Sequence, residues 1–227
     1  MTPKIIHQIW IQGCENLPEK YKNYSDKWKL QENYQYICWN DKTIRDLINI
    51  FDKTLLDSYN YFDLLQQKSD LARYIILYLF GGVYIDMDIE PGNISLDNVL
   101  NLNKPLIMAK GGSTIASQNF MVSVKNHPLF KDLINHIKIN YKKKWFDILT
   151  IYVQRTTGGL IYQKLLDNYS NDYIIIPQNL VYRCESIDDC KIDKNIVAMI
   201  HFEKSWNILL YSQRFIEYYK NIIFTNL

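Results

Sequence analysis

Two aspartates separated by one residue, Asp86 and Asp88, are the side chains whose type and spacing most directly suggest chemistry. They follow the short apolar segment 83–85, which predicts a strand. Because side chains alternate along a strand, carboxylates two residues apart at its end project to the same side. Such hard oxygen ligands suit Mn²⁺ or Mg²⁺, and the ion would neutralise a diphosphate leaving group. An Asp-x-Asp triplet alone is more often a solvated turn, so its surroundings decide the interpretation.

The segment upstream of the triplet, residues 62–80, is the strongest helix prediction because its apolar residues recur at steps of three and four. Gly81 and Gly82 end this helix and permit a sharp reversal into the strand. Asp70 and Arg73 share one helix face. The simpler interpretation is a surface ion pair, but the apolar neighbours predict a buried helix. A buried pair is costly without further partners, and a ligand could be one of them.

The other predicted elements alternate between strands and helices, which is typical of an α/β fold. The chain of 227 residues is 48% hydrophobic, which favours a single domain over residues 1–227. Asp41 is the expected N-cap of the second helix. We expect further strands at 5–11, 35–39, 106–109, 119–124, 173–176 and 197–201, and further helices at 20–31, 42–49, 128–141, 156–166 and 209–224.

Composition excludes several classes of protein. The formal net charge is +2, from 26 basic and 24 acidic residues, so no global field would recruit nucleic acid. No stretch reaches the roughly 18 apolar residues of a membrane span, and no signal peptide is recognisable. We therefore expect a soluble, cytoplasmic protein, acting in the host cytoplasm if its source is viral. The basic run 142–145 (KKKW) is usually a solvated helix end, with peripheral membrane contact as the minority alternative.

Four cysteines are present, and none of them forms a Cys-x-x-Cys pair that would indicate a zinc site. Cys184 and Cys190 could bridge a loop. Reduced thiols are nevertheless the expectation for a cytoplasmic chain.

Three blocks of this sequence together resemble one family. Residues 68–91 contain KSDLARY followed by GGVYIDMDIEP, residues 3–10 read PKIIHQIW, and residues 201–206 read HFEKSW. In this order the blocks are similar to the DxD-containing sugar transferases, which include capsular polysaccharide transferases, yeast initiating α-1,6-mannosyltransferases and the glucosylating clostridial toxins. The resemblance, which is to glycosyltransferase family 32, extends over nearly the whole chain.

The resemblance implies an α/β fold of the GT-A type, a mixed central sheet flanked by helices that binds a nucleotide sugar. Trp10 would stack on the nucleotide base, a contact worth about 1–3 kcal/mol; a core anchor is the equal alternative. Asp70 and Arg73 would hydrogen-bond the donor sugar. Tyr84 would line the donor pocket, unless it only packs, and Asn119 would lie near the sugar.

The resemblance also implies a metal and diphosphate site. Asp88 would be the direct ligand of Mn²⁺ (or Mg²⁺), and Asp86 would contact ribose and sugar hydroxyls and help to hold the ion. His201 would complete the metal shell, because a neutral imidazole beside two carboxylates suits Mn²⁺. Ser205 and Trp206 would hold the diphosphate.

The function implied is a retaining, metal-dependent transfer of a hexose or N-acetylhexosamine in polysaccharide biosynthesis. The donor would be a nucleoside diphosphate sugar, with UDP favoured over GDP, and the acceptor a glycan or protein hydroxyl. Three alternatives remain. A non-catalytic sugar or nucleotide-sugar binding protein could use the same fold. A DxD phosphatase would want Thr or Val where this chain has Glu90, and a calcium loop of the EF-hand type would want Gly where it has Pro91.

Overall fold

The computed structural model describes residues 1–110, 116–145, 147–177, 180–184 and 196–201. The predicted helix 209–224, together with Ser205 and Trp206, lies outside these residues. The described strands are β1 (Ile5–Ile9), β2 (Gln35–Trp39), β3 (Gly82–Ile85), β4 (Ile89–Pro91), β5 (Leu106–Lys110), β6 (Ala116–Ser123), β7 (Tyr173–Ile176), β8 (Val181–Arg183) and β9 (Ala198–Ile200). The described α-helices are α1 (Glu19–Lys29), α2 (Asp41–Asp52), α3 (Leu55–Tyr61), α4 (Leu65–Phe80), α5 (Asp97–Leu100), α6 (Pro128–Asn140), α7 (Leu149–Thr156) and α8 (Gly159–Leu166).

Six of the strands form a mixed sheet in the order β2-β1-β3-β6-β5-β7. Strand β1 is parallel to both β2 and β3, β6 is antiparallel to both of its neighbours, and β5 is parallel to β7. A smaller sheet has the order β4-β9-β8. The predicted mixed sheet is therefore confirmed. The strand direction reverses between β3 and β6, and the Asp-x-Asp triplet directly follows the end of β3.

Two hydrophobic clusters lie on opposite faces of the large sheet. On β3, Tyr84 belongs to one cluster, whereas Val83 and Ile85 belong to the other. This alternation follows from the two-residue period of a strand. Tyr84 shares its cluster with Leu71 and Ile75 of α4. The face of β3 that carries Tyr84 is therefore the face on which α4 packs, and α4 brings Asp70 and Arg73 to that side of the sheet.

Several predicted boundaries were wrong for local reasons. The helix predicted from residue 62 begins at Leu65, because Phe62 is extended and buried after the separate helix α3. The N-cap of α2 is Asn40 rather than Asp41. The Asn40 side chain accepts a hydrogen bond from the Thr43 backbone N–H, while the Thr43 hydroxyl accepts one from the Asn40 N–H. This reciprocal capping box satisfies two otherwise unpaired donors. Helices α3, α5 and α7 were not predicted.

The expectation of reduced thiols was wrong. Cys14, which begins a 3₁₀ turn after β1, forms a disulfide with Cys38 of β2. The two strands are parallel neighbours, so residues 24 apart in sequence come within a Cα–Cα distance of 6.2 Å. Cys184 is also disulfide-bonded, and Cys190 lies outside the described residues.

Within the described ranges, no helix is both long enough and apolar enough to cross a bilayer.

The reversal between α4 and β3 depends on two glycines in the left-handed region, Gly81 with φ of 64° and Gly82 with φ of 90°. A Cβ atom on Gly82 would lie 2.6 Å from the Ile5 carbonyl oxygen. Real Cβ atoms do not approach backbone this closely, and a positive φ strains a residue that carries a side chain. The pair of glycines therefore allows β3 to lie directly against β1.

We predict that Gly82→Ala lowers the free energy of unfolding by about 1–3 kcal/mol. Urea denaturation followed by circular dichroism measures this change. Gly159→Ala is the matched control, because Gly159 is the first residue of α8 and alanine favours a helix. The proposed role of Gly82 is wrong if both variants unfold at the same urea concentration.

Candidate functional site

The guanidinium group of Arg73 is the centre of the candidate site. Arg73 Nη2 lies 3.3 Å from Asp70 Oδ1 and 3.4 Å from Asp86 Oδ1. Its Nη1 donates a hydrogen bond to the Gln118 carbonyl oxygen at 2.8 Å, and its Cζ lies 4.6 Å from the centre of the Tyr84 ring. One buried cation thus connects α4, the end of β3 and β6.

Charge pairing keeps Arg73 ionised although it is only 6% exposed. Burial alone would lower the pKa of Arg73, but the negative charge of Asp86, with Tyr84 and Asp70, raises it above its usual range. A buried charge without partners would cost several kcal/mol. Arg73 and its two carboxylates therefore depend on each other, and the predicted Asp70–Arg73 pair is confirmed as a buried rather than a surface pair.

Asp70 is almost completely buried, and its second oxygen accepts a hydrogen bond from the Thr157 hydroxyl at 2.8 Å. Burial raises the pKa of Asp70 to about 6, and the charge of Arg73 and the Thr157 hydroxyl act in the opposite direction. The carboxylate is therefore ionised at neutral pH but gains a proton in mildly acidic solution.

Asp86 is the more accessible carboxylate of the pair, with 28% of its side chain exposed. The Tyr84 hydroxyl donates a hydrogen bond to Asp86 Oδ1 at 2.5 Å. Burial raises the pKa of Tyr84 above its usual range, so this hydroxyl keeps its proton and remains a donor. The Asp86 N–H donates to the Asn119 carbonyl oxygen at 2.8 Å. These contacts fix the first aspartate where β3 ends.

The second aspartate, Asp88, lies in the turn between β3 and β4 and is half-buried. Its carbonyl oxygen accepts a hydrogen bond from the His201 N–H at 2.9 Å. The His201 ring stacks on Tyr24 with a centroid distance of 4.8 Å, and its Nε2 donates to Glu90 Oε2 at 3.1 Å. Glu90 also forms an ion pair with Lys27. His201 is therefore next to the Asp-x-Asp turn, but its ring is directed to Glu90.

The described part of the chain contains no cluster of three or more His, Cys, Asp or Glu side chains arranged to hold a metal ion. The expected shell of Asp86, Asp88 and His201 is thus not assembled. The two aspartates still fit Mn²⁺ or Mg²⁺ by their chemistry. Mg²⁺ in particular is usually held by one or two carboxylates together with substrate phosphates rather than by a complete protein cage.

Trp10, directly after β1, is half-buried and packs against Tyr21 with a centroid distance of 5.5 Å. Its indole Nε1 is buried and has no hydrogen-bond partner among the residues that the structure describes. Buried indole N–H groups usually find a partner. An unpaired donor favours the ligand-binding interpretation of Trp10 over that of a core anchor.

Asn119 lies in β6 beside Asp86, and its side-chain oxygen accepts a hydrogen bond from the Ser117 hydroxyl at 2.5 Å. Its role near the sugar stays a prediction. His7, by contrast, is structural. It is buried in β1, its Nε2 donates to the Gly81 carbonyl oxygen at 3.0 Å, and burial lowers its pKa to about 4.

Two contributors to the site were not foreseen from the sequence. Thr157 was identified only as part of a helix start, yet its hydroxyl contacts Asp70 and its carbonyl oxygen accepts a hydrogen bond from Tyr74. In the sequence Glu90 only disfavours a phosphatase, whereas in the structure it is the partner of His201. The run Thr-Thr-Gly-Gly at 156–159 was the sequence signal for Thr157, and no sequence signal marked Glu90.

Comparison with known proteins identifies the family. Residues 18–106 match the family described as a glycosyltransferase sugar-binding region containing a DXD motif. This region includes Asp70, Arg73, Asp86 and Asp88. Over this region the chain matches the DXD-containing glycosyltransferases, as its resemblance implied. The calcium-loop alternative is wrong, because the triplet connects two strands rather than two helices.

Three curated relatives illustrate the likeness. An uncharacterized glycosyltransferase of Acanthamoeba polyphaga mimivirus is 27% identical over 83% of this chain and 76% of its own length. Inositol phosphoceramide mannosyltransferase 2 of Schizosaccharomyces pombe is 32% identical over 74% of this chain and 47% of its own length. Mannosyl phosphorylinositol ceramide synthase CSH1 of Saccharomyces cerevisiae is 29% identical over 91% of this chain and 53% of its own length. The chain spans about half the length of these two yeast proteins.

Solved structures agree on the fold. The PaToxG glycosyltransferase has a TM-score of 0.53 at 18% identity, covering 74% of this chain and 69% of that one. The catalytic domain of α-toxin from Clostridium novyi has a TM-score of 0.53 at 12% identity, covering 97% and 82%. At these identities the likeness is one of fold, and it confirms the expected GT-A architecture.

We predict that Thr157→Val shifts the acid side of the pH–activity profile to higher pH. The hydroxyl lowers the pKa of Asp70, so its loss raises that pKa above about 6, and the ionised carboxylate appears only at higher pH. Values of kcat/KM measured across pH 5 to 8 test this shift. Thr150→Val, a change at a half-buried position of α7, is the control. An unchanged profile for Thr157→Val would show that Asp70 does not govern the acid side.

Proposed function

We propose that this protein transfers a sugar from a nucleoside diphosphate sugar to an acceptor hydroxyl, with Mn²⁺ or Mg²⁺ and with retention of anomeric configuration. The observation that carries the proposal is the cluster of Arg73, Asp70 and Asp86 at the end of β3. It joins one buried carboxylate, one partly exposed carboxylate and a buried cation. Such fixed charges can orient sugar hydroxyls with little reorganisation.

The proposed division of labour follows the exposure of these groups. Asp70 and Arg73 hold hydroxyls of the donor sugar, and Asp86 contacts the ribose and the sugar. The indole N–H of Trp10 has no partner among the described residues, and the ring is proposed to lie against the nucleotide base. Asn119 is proposed near the sugar, and Tyr84 holds Asp86 in place. Ser205 and Trp206 are proposed to contact the diphosphate.

The metal would be held by Asp88 and Asp86. When bound, such an ion neutralises charge that develops on the leaving diphosphate. In the transfer, the bond from the anomeric carbon to the diphosphate oxygen breaks, and a bond to the acceptor oxygen forms on the same face. The acceptor proton passes to the departing diphosphate. No carboxylate is assigned as a nucleophile, which is why we propose attack on the face that the diphosphate leaves.

The names of the relatives suggest which substrates to test first. The Schizosaccharomyces pombe relative is named as an inositol phosphoceramide mannosyltransferase. The Saccharomyces cerevisiae relative is named as a mannosyl phosphorylinositol ceramide synthase. We therefore propose mannose as the first sugar to test, and an inositol-containing glycolipid headgroup as the first acceptor beside glycan and protein hydroxyls. The expectation that UDP is favoured over GDP comes from the sequence resemblance and is open to direct measurement.

We predict that Asp88→Asn abolishes metal-dependent transfer while the fold remains intact. The amide keeps the shape of the side chain but removes the charge that a divalent ion requires. Transfer is measured at limiting Mn²⁺, and the fold is checked by circular dichroism. Asp63→Asn, at an exposed position between α3 and α4, is the matched control. Near-wild-type turnover of Asp88→Asn would refute the metal assignment.

We also predict that the correct donor raises the melting temperature only when Mn²⁺ is present. A ligand that binds the folded state stabilises it by about 2.7 kcal/mol at a hundredfold excess over Kd. A thermal-shift panel of UDP- and GDP-sugars, with and without Mn²⁺, measures this effect. Hydrolysis of the stabilising donor without acceptor separates an enzyme from a non-catalytic nucleotide-sugar binding protein. Stabilisation by every donor in the absence of metal would contradict the proposal.

A further inference from the structure

A surface away from the Asp-x-Asp turn is both basic and apolar. It consists of the loop 141–145 between α6 and α7 together with the exposed residues Ile139, Ile151, Leu160 and Lys164, and we call it the basic-apolar face. Trp145 is 96% exposed and Ile139 is 78% exposed. Side chains of this size are normally buried, and a group of them on one surface marks an interaction site.

Three residues of this face, Lys144 of the loop and Leu160 and Lys164 of α8, line one cavity. The cavity has a volume of about 210 Å³, and Asn140, Lys144, Arg155, Leu160 and Lys164 are among its lining residues. These residues come from the end of α6, the loop, α7 and α8. Ile151 is four residues before Arg155 on α7, so it lies on the same side of that helix. The cavity is thus bordered by part of the basic-apolar face, and Trp145 directly follows its lining residue Lys144.

The charge of this region differs from that of the rest of the chain. Residues 139–164 contain five basic residues and one acidic residue, a net charge of +4, whereas the whole chain carries only +2. Lys138, just before them, pairs with Asp52. The single acidic residue, Asp147, is buried and forms an ion pair with Arg155. Burial lowers the pKa of His136 most, its hydrogen bond with the Arg155 carbonyl oxygen raises it, and the charges of Lys164 and Arg155 lower it. The potential at this face is therefore positive.

We propose that the basic-apolar face docks the protein on an anionic lipid surface. Tryptophan is enriched at the boundary between headgroups and acyl chains, where one part of the ring is apolar and the other is wet. Lysines beside it gain about 1 kcal/mol each near an anionic leaflet, which corresponds to roughly fivefold in affinity. Trp145 would enter this boundary, Lys142 and Lys143 would meet headgroup phosphates, and the cavity would receive one anionic headgroup.

The mixture of side chains favours a lipid surface over a second protein. Charged residues, lysine above all, are depleted at the centre of protein–protein interfaces. Here exposed apolar residues and lysines occur in the same region, as in surfaces that rest on a membrane. The position also suits a transferase that meets a lipid-borne acceptor, because Thr157, between α7 and α8, contacts Asp70 directly. The docking inference itself does not depend on the proposed function.

Vesicle co-sedimentation tests the inference without donor, metal or turnover. We expect binding to phosphatidylcholine vesicles that contain phosphatidylserine, little binding to phosphatidylcholine alone, and weaker binding as salt is raised. The double variant Lys142→Gln/Lys143→Gln should bind about 25-fold more weakly, from two fivefold effects. Trp145→Ala should weaken binding at every salt concentration, because its contribution is apolar.

Matched controls use residues of similar exposure elsewhere. Lys104→Gln/Lys125→Gln removes two exposed lysines beside the start of β5 and the end of β6, and Leu30→Ala removes an apolar side chain that is exposed at the end of α1. Both controls should bind like the wild type. Because no sugar transfer is measured, loss of transfer activity and loss of docking are distinguishable.

Four outcomes would overturn the inference. The first is equal binding to vesicles with and without phosphatidylserine. The second is equal weakening by the test and control lysine pairs. The third is a dimer in sedimentation velocity that Trp145→Ala converts to a monomer while vesicles do not bind, which would make the face an interface between copies. The fourth is preferential binding of an RNA oligonucleotide in place of vesicles.

Discussion

The buried guanidinium of Arg73 is the constraint on which the rest of the site depends. It can remain charged inside the protein only because two carboxylates and a backbone carbonyl surround it. Each of these partners comes from a different element, so helix α4, the end of β3 and strand β6 must meet at one point. The glycine pair that lets β3 reverse against β1 provides the close approach that this meeting needs. Charge and backbone geometry therefore specify the same arrangement.

The same buried cluster places its two carboxylates in different surroundings. Asp70 is surrounded by protein and titrates near pH 6, whereas Asp86 keeps part of its side chain in solvent. A group that is fixed and dry suits the orientation of a neutral sugar, and a group that is partly wet suits contact with ligands that arrive with an ion. The difference arises from burial rather than from residue type.

Local patterns predicted what local physics determines. The spacing of apolar residues located α4, and the three-residue step between Asp70 and Arg73 predicted their pairing, which burial then strengthened. Contacts between distant segments could not be predicted in this way. The Thr157 hydroxyl is 87 residues from Asp70, and the His201 ring is 111 residues from Glu90. Such pairs are decided by how helices and strands pack, and neither periodicity nor capping signals encode them.

The Cys14–Cys38 disulfide ties the segment after Trp10 to the neighbouring strand and encloses helix α1 between its ends. Helix α1 carries Tyr21 and Tyr24, the aromatic partners of Trp10 and His201. In the chain-entropy account, closing a loop of this length lowers the entropy of the unfolded chain, which stabilises the folded state by about 3 kcal/mol. Such bonds persist in oxidising compartments and are rare where glutathione keeps thiols reduced. The redox state of the surroundings thus helps to determine how firmly Tyr21 and Tyr24 are held beside the Asp-x-Asp triplet.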